Sequence, residues 1–238
     1  MIGCAAAMQA RAESWFQFES GVGASIYTRQ GQGAYYSPPF PYKAPTIAPA
    51  FRVGVQINAW HPDHWRPGVR FHADYINFGK VSWDALSPQD EGDFTARGMR
   101  GGYDMGGRGC IENNCGQMSR FESYGRIQSV AFTVEPYWNL GGGWTVGVEA
   151  GPAISRTTWM THATVLNDGF KLGPPGTVHT LSTSPKLSVG IITGASVSYK
   201  AFTLRYNYLF GRSSGGSADN EQMPGIVGAH LVTLNYTF

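Results

Sequence analysis

Residues 230–238, His-Leu-Val-Thr-Leu-Asn-Tyr-Thr-Phe, decide the fold class of this chain. Apolar side chains stand at Val232, Leu234, Tyr236 and Phe238, and the residues between them are mostly polar. Successive side chains of a strand point to opposite faces, so this alternation predicts a β-strand with one apolar and one polar face.

The same alternation recurs in seven earlier segments. They are residues 14–27, 51–59, 69–75, 129–135, 146–154, 186–197 and 203–210. With the last strand they make eight predicted strands of about ten residues, which is long for a soluble sheet. It matches the ~9–11 residues that a tilted strand needs to cross a bilayer.

The composition excludes several classes of protein. Charged residues are 14% of the 238, hydrophobic residues 42%, and the net charge is +2. A nucleic-acid partner is not expected without a basic excess, and general disorder does not fit the apolar content. No run of ~18 apolar residues predicts a membrane helix, and heptads of a coiled coil are absent.

The connections between the predicted strands alternate in length. Short turns lie around residues 61–63, 139–143 and 199–201, whereas long polar loops occupy 28–48, 79–125, 157–184 and 211–227. This layout is typical of outer-membrane barrels, with short periplasmic turns and long extracellular loops. A soluble β-sandwich is the alternative, because periodicity alone does not distinguish a face in lipid from one in a core.

The chain resembles the small OmpA/OmpX-type outer-membrane barrels of Gram-negative bacteria, through the C-terminal strand and the eight-strand layout. The resemblance implies an all-β fold: an eight-stranded antiparallel up-and-down transmembrane β-barrel in the outer membrane. It implies that Val232, Leu234, Tyr236 and Phe238 form the signal that the barrel-assembly machinery recognises. A monomer in contact with outer-membrane lipids and lipopolysaccharide is expected.

The N-terminal residues predict a division of the chain into a short signal-peptide remnant and one barrel domain. Residues 1–12 look like the end of a signal peptide with an Ala10-x-Ala12 cleavage site, and residues 13–238 form the barrel. Lipidation at Cys4 is the alternative. In an exported chain the remaining pair, Cys110 and Cys115, predicts a disulfide.

The polar face of the predicted strands carries charges of both signs. We expect an interior charge network, because buried charges are costly unless they are paired. His72 is interpreted as a hydrogen-bonded filler of this network, with a proton relay as the alternative. The network residues are Glu19, Arg52, Arg70, Asp74, Glu135, Glu149, Lys186 and Arg205.

Aromatic residues cluster near the predicted strand ends, as expected for belts at both membrane interfaces. One group lies near the short turns: Trp60, Trp65, Tyr137, Trp138 and Trp144. The other lies near the long loops: Tyr75, Phe78, Trp83, Trp159 and Phe210.

Two segments carry residues that could support chemistry, and each has a simpler interpretation. His61-Pro62-Asp63-His64 is interpreted as a solvated turn, so no metal or cofactor is expected. No recognisable catalytic spacing connects the Ser, Thr and His residues at the ends of the third long loop, so the chain is not expected to be an enzyme. Those residues are Thr161, His162, Thr164, His179, Ser182 and Ser184.

Two loops are candidate contact surfaces. Arg97, Arg100 and Arg108 could meet lipopolysaccharide phosphates, although a flexible exposed loop is favoured. The Tyr- and Pro-rich segment Tyr35–Tyr42 could hold an extracellular partner or pack on the second loop.

We therefore expect a structural or surface-interaction role, such as membrane integrity, adhesion or recognition. A narrow porin-like channel is the first alternative, and a lipid A-modifying enzyme is the second. An eight-stranded barrel is just wide enough for side chains to fill, which favours a closed interior.

Overall fold

We describe the protein from a computed structural model. The structure describes residues 15–29, 42–43, 45–62, 66–89, 117–166, 173–182, 187–210 and 226–238. The described part of the chain contains no helix long and apolar enough to cross a membrane. Its strands are β1 (Phe16–Arg29), β2 (Tyr42–Lys43), β3 (Ile47–Trp60), β4 (Gly68–Gln89), β5 (Gln117–Gly141), β6 (Trp144–Val165), β7 (Val178–Ser182), β8 (Leu187–Tyr199), β9 (Phe202–Phe210) and β10 (Ile226–Thr237).

Eight of the strands close into a ring. Each neighbouring pair is antiparallel, in the order β1-β3-β4-β5-β6-β8-β9-β10, and β10 pairs with β1 to complete the circle. The predicted eight-stranded antiparallel barrel is therefore confirmed. The short strands β2 and β7 lie outside the ring and pair with β4 and β6.

Alternation decides which side chains enter the barrel. On β10, Val232 and Leu234 are exposed on the outside, whereas Thr233 and Asn235 are buried inside. The same assignment of faces holds in the other predicted segments.

The two ends of the barrel differ. At one end, which we call the turn end, lie the connections between β3 and β4, β5 and β6, and β8 and β9. Phe238 also lies at the turn end, where its amide donates to the Phe18 carbonyl at 2.9 Å. The opposite end, the loop end, carries the four longer connections.

Three strands run well beyond the predicted boundaries at the loop end. Residues 79–125 and 157–184 are predicted as loops, but β4 continues to Gln89, β5 starts at Gln117 and β6 ends at Val165. The prediction was wrong because residues 120, 122 and 126 of the outward face are charged, so the apolar signal of a strand is missing. We call residues 80–89, 117–128 and 156–165, with β2 and β7, the outer sheet.

A bulge at Gly79 changes the direction of the side chains on β4. The register with β5 shifts between Asn77 and Lys80, and Gly79 has a φ of 79°. A Cβ on Gly79 would lie 2.0 Å from the Pro49 carbonyl oxygen. The Tyr27 hydroxyl donates to the Gly79 carbonyl at 2.8 Å. Only glycine fits this backbone.

We predict that Gly79→Ala destabilises the barrel much more than Gly141→Ala. Both positions have positive φ, but a Cβ on Gly141 meets nothing within 4 Å. The control therefore carries only the conformational cost, about 1 kcal/mol, and Gly79→Ala adds overpacking of about 1–3 kcal/mol. The stability of each variant is measured by heating samples to a series of temperatures before gel electrophoresis. The temperature at which the compact form disappears is then compared between the two variants. Equal loss in both variants would contradict the role of the bulge.

Candidate functional site

The middle of the barrel holds a cluster of buried charges centred on Arg52. Its guanidinium donates to Asp74, and its Nη1 donates to the Asn207 Oδ1 at 3.0 Å. The same Nη1 lies 3.5 Å from the Glu149 Oε1, and Nε lies 3.9 Å from the Glu19 Oε1. Arg52 is 1% exposed, so these contacts replace its water.

Arg205 is the second cation of this cluster and shares carboxylates with Arg52. Its Nη2 lies 3.2 Å from the Glu19 Oε2, and its Nη1 lies 3.3 Å from the Glu149 Oε2. Its Nη2 lies 3.8 Å from Glu135. Glu19 and Glu149 therefore bridge the two guanidinium groups, and the cluster behaves as one network rather than as separate pairs.

Polar side chains also contact the carboxylates of Glu135 and Glu149. The His72 Nε2 lies 2.6 Å from the Glu135 Oε2, and the Ser196 hydroxyl donates to the other oxygen of Glu135. Glu149 accepts from Thr133 at 2.9 Å and from Asn207 at 2.5 Å.

Two inward glycines make room for the carboxylates. A Cβ on Gly147 would lie 2.1 Å from the Glu135 Oε1, and one on Gly54 would lie 2.1 Å from the Asp74 Oδ1. In both cases the glycine is the direct or diagonal neighbour of the charged residue across a strand pair. The glycines are thus part of the site, because a larger residue would displace the charges.

The structure brings six of the eight predicted network residues together: Glu19, Arg52, Asp74, Glu135, Glu149 and Arg205. Arg70 lies at the turn-end side, paired in register with Glu135, and its Cζ sits 3.6 Å from the centre of the Tyr137 ring. Lys186 lies outside the described residues. Asn207, Thr133 and Ser196 were missed, although alternation alone places them on the inward face.

The interior towards the loop end is apolar, a feature that the alternation of the strands does not predict. On β4 the inward side chains change from Arg70, His72 and Asp74 to Ile76 and Phe78. The same change occurs on other strands, and the apolar layer contains Tyr27, Ile76, Phe78, Val81, Ile127, Trp159, Ile192, Leu209 and Leu231. This layer covers the charge cluster from the loop end.

Three predicted belt aromatics belong to the interior instead. Tyr137, Phe78 and Trp159 are 4%, 0% and 7% exposed and point inward, so this part of the belt prediction is wrong. Phe78 points inward at the bulge next to Gly79, and Tyr137 and Trp159 occupy inward positions of β5 and β6. Trp60, Trp138, Trp144 and Phe210 are exposed on the outer face. Trp65 and the side chain of Trp83 lie outside the described residues.

A polar cavity of about 700 Å³ opens at the turn end. Its lining includes Gln17, Gln56, Asn58, Arg70 and Lys200. Beyond it lies the charge cluster, whose six charged residues are each at most 3% exposed. The cavity is therefore a vestibule that ends at closely packed side chains.

The outer face carries a continuous apolar band. On β6, Trp144, Val148 and Ile154 are all 42% exposed or more. On β10, the predicted assembly-signal residues are also exposed, and Phe202, Tyr236 and Phe238 form a row of ring contacts with centroids 5.0–5.2 Å apart. Such an area is too large for a protein in water.

The histidines that could suggest catalysis lie far from this band. The Tyr124 hydroxyl lies 2.8 Å from the His162 Nε2, and the Thr180 hydroxyl lies 3.1 Å from its Nδ1. His162 is eight residues beyond Ile154 on β6, or about 27 Å along the strand. A base for lipid cleavage would need to lie at the band, so this arrangement does not support lipid chemistry.

Several predicted features lie outside the described residues: residues 1–14 with Cys4, Cys110 and Cys115, Arg97, Arg100 and Arg108, Tyr35–Phe40, Asp63, His64 and Ser184. His61 lies exposed at the turn end. Within the described part of the chain, no group of three His, Cys, Asp or Glu side chains could hold a metal ion.

The comparisons with known proteins give structural similarity only. No model of a known family and no curated protein matches the chain. The attachment invasion locus protein Ail of Yersinia pestis is 11% identical and has a TM-score of 0.37, over 94% of this chain and 97% of that one. Neisserial surface protein A is 10% identical with the same TM-score, over 94% and 96%. The fold assignment follows from the closed ring of strand pairs.

We predict that Arg205→Met destabilises the barrel by about 3–5 kcal/mol, because it leaves Glu19 and Glu149 without one of their two cations. Adding Glu149→Gln to this variant restores part of the loss, since one uncompensated charge is removed. Denaturant unfolding in detergent micelles, followed by tryptophan fluorescence, measures the change.

Arg120→Met is the matched control. This arginine also pairs with carboxylates, Asp84 and Glu122, but on the water-exposed face. We expect its unfolding midpoint to stay near that of the parent protein, since exposed pairs contribute little. A similar loss in both variants would mean that the buried cluster is not what holds the barrel.

Proposed function

We propose that this chain is an integral protein of the bacterial outer membrane that anchors a surface-exposed interaction sheet and does not conduct solutes. The observation that carries the proposal is an apolar outer band around an interior that side chains fill. The band supports insertion in a membrane, and the filled interior supports an anchor rather than a pore.

The height of the band fits a bilayer. On β6 it runs from Trp144 to Ile154, ten residue steps or about 34 Å along the strand. At a tilt of about 40° this spans about 26 Å, close to the roughly 25 Å apolar band of outer-membrane barrels. Aromatic side chains at its turn end, including Trp60, Trp138 and Trp144, fit an interfacial belt.

The orientation follows from the two ends. Outer-membrane barrels place short turns in the periplasm and long connections outside the cell. The turn end is then periplasmic, and the outer sheet projects from the cell. From Gln117 to Gln128, β5 extends about 37 Å beyond the band, and β2 and β7 pair with the sheet's outer strands.

The C-terminal strand supports assembly in this membrane. Val232, Leu234 and Phe238 are exposed on the outer face of β10 at the turn end. We propose that the barrel-assembly machinery binds this strand before it pairs with β1 and closes the ring.

We predict that the folded protein shows no stable conductance in a planar bilayer. The charge cluster and the apolar layer above it leave no continuous path for ions. The gel shift between unheated and boiled samples checks folding, and an open porin of known conductance checks the bilayer. Reproducible conductance steps from the heat-modifiable form would instead support the channel.

The surface role predicts that the outer sheet is separable from the barrel. Ser82 and Tyr124 are paired across β4 and β5, so replacing residues 83–123 by Asn-Gly forms a tight hairpin. We expect this variant to fold and to reach the cell surface, yet to show weaker attachment of expressing cells to cultured cells than the parent protein. Full attachment with the trimmed barrel would contradict the role of the sheet.

A further inference from the structure

Above the apolar band, the outward face of β4, β5 and β6 carries a row of exposed cations. Lys80 and Arg126 are direct partners across β4 and β5. Arg156 lies one row closer to the band on β6, opposite Gln128. All three side chains are exposed. We call Lys80, Arg126 and Arg156, which occupy two successive rows, the cationic row.

The register places the cationic row at the edge of the apolar band. The next outward row towards the turn end is Tyr75, Val130 and Ile154, which are paired across the same three strands. Val130 and Ile154 are 41% and 42% exposed and belong to the band. Arg156 therefore lies one row, about 7 Å along the strand, from side chains that face lipid, and Lys80 and Arg126 lie two rows, about 14 Å, from them.

The cations of this row are available to a ligand. Within the described part of the chain, no carboxylate pairs with Arg126 or Arg156. The Lys80 Nζ lies 4.0 Å from the centre of the Tyr124 ring, which holds the ammonium over the strand without neutralising it. Thr158, paired with Arg126, and Gln128 add hydroxyl and amide groups between the charges.

Two to three rows further from the band, at Asp84, Glu122 and Arg120, the chemistry is different. Arg120 donates to Asp84 through Nε at 3.1 Å and through Nη2 at 2.9 Å, and Glu122 lies 3.4 Å away. The hydrogen bond to Asp84 and the charges of both carboxylates raise the pKa of Arg120. The outer sheet therefore neutralises its distant arginine and leaves the cationic row at the lipid edge uncompensated.

We propose that Lys80, Arg126 and Arg156 bind the phosphate groups of a phosphorylated lipid of the surrounding outer leaflet. Arginine suits phosphate because its planar fork donates two hydrogen bonds, and lysine adds a point charge. The acyl chains of such a lipid would lie on Tyr75, Val130 and Ile154, one row below Arg156 and two rows below Lys80 and Arg126. This inference rests on the proposed membrane location, which supplies both the lipid and its depth.

The contact lies on one side of the barrel. The three strands are adjacent in the ring, and on the neighbouring strand β8 the residue opposite Arg156 is Leu187, which is 72% exposed. The lipid is therefore held along β4–β6, at the base of the outer sheet. Binding there would tie the sheet to the membrane surface.

The test measures binding of diphosphorylated lipid A to the folded barrel in detergent micelles, counted by native mass spectrometry. Dephosphorylated lipid A and glucosamine 1,6-bisphosphate, which lacks acyl chains, are the two comparison ligands. We expect the triple variant Lys80→Gln/Arg126→Gln/Arg156→Gln to weaken binding of the diphosphorylated lipid at least about tenfold, and each single variant about fivefold.

Arg120→Gln is the matched control, because it removes an exposed arginine of the same face that is already paired. We expect it to bind the lipid as the parent protein does. Equal loss in this control and in the triple variant would indicate general charge attraction and would overturn the site. Unchanged binding in the triple variant would overturn it as well.

The comparison ligands identify the occupant. Equal affinity for dephosphorylated lipid A would remove the phosphate from the proposal, and equal affinity for the acyl-free bisphosphate would remove the lipid. The single variants keep the test decisive if the triple variant does not fold. If the parent chain gives no heat-modifiable barrel, the proposed membrane role fails, whereas loss of the phosphate preference in a folded barrel overturns only the lipid site.

Discussion

The pairing of Arg52 and Arg205 with four carboxylates is the interaction on which the rest of the barrel depends. The two guanidinium groups share Glu19 and Glu149, and each holds one further carboxylate. All of these groups are cut off from water, so removing either guanidinium leaves buried carboxylates uncompensated. A ring of eight strands leaves little other space, and the network therefore joins opposite walls of the barrel.

This constraint explains features that lie outside the network itself. Inward glycines such as Gly147 and Gly54 remain small because charged side chains occupy the space of their missing Cβ atoms. Apolar residues close the interior towards the loop end. In the proposed function the barrel is then an anchor with a dead-end vestibule, and the interaction surface lies on the outer sheet and on the outward face.

The polarity of the outward side chains changes along the strands with the environment of each row. Side chains are apolar along the band, cationic at its edge in Lys80, Arg126 and Arg156, and paired in mixed charges further out around Arg120. Such a gradient is what a protein needs when one strand passes from lipid through a phosphate layer into water. The same strands β4–β6 therefore carry the anchor, the boundary and the exposed sheet.

The sequence by itself determined the eight strands of the ring within the membrane band and the faces of their side chains, because side-chain direction in a strand depends only on a local period of two. The same period places seven of the eight predicted network charges on the inward face, and Lys186 lies outside the described residues. Only the tertiary structure decided which of them meet: Arg205 and Glu19 are 186 residues apart and come together through ring closure. The sequence also did not show how far β4, β5 and β6 extend beyond the apolar band, because the bulge at Gly79 and the polar ends of these strands break the alternation. Contacts across the barrel depend on register and closure, and these are properties of all eight strands together.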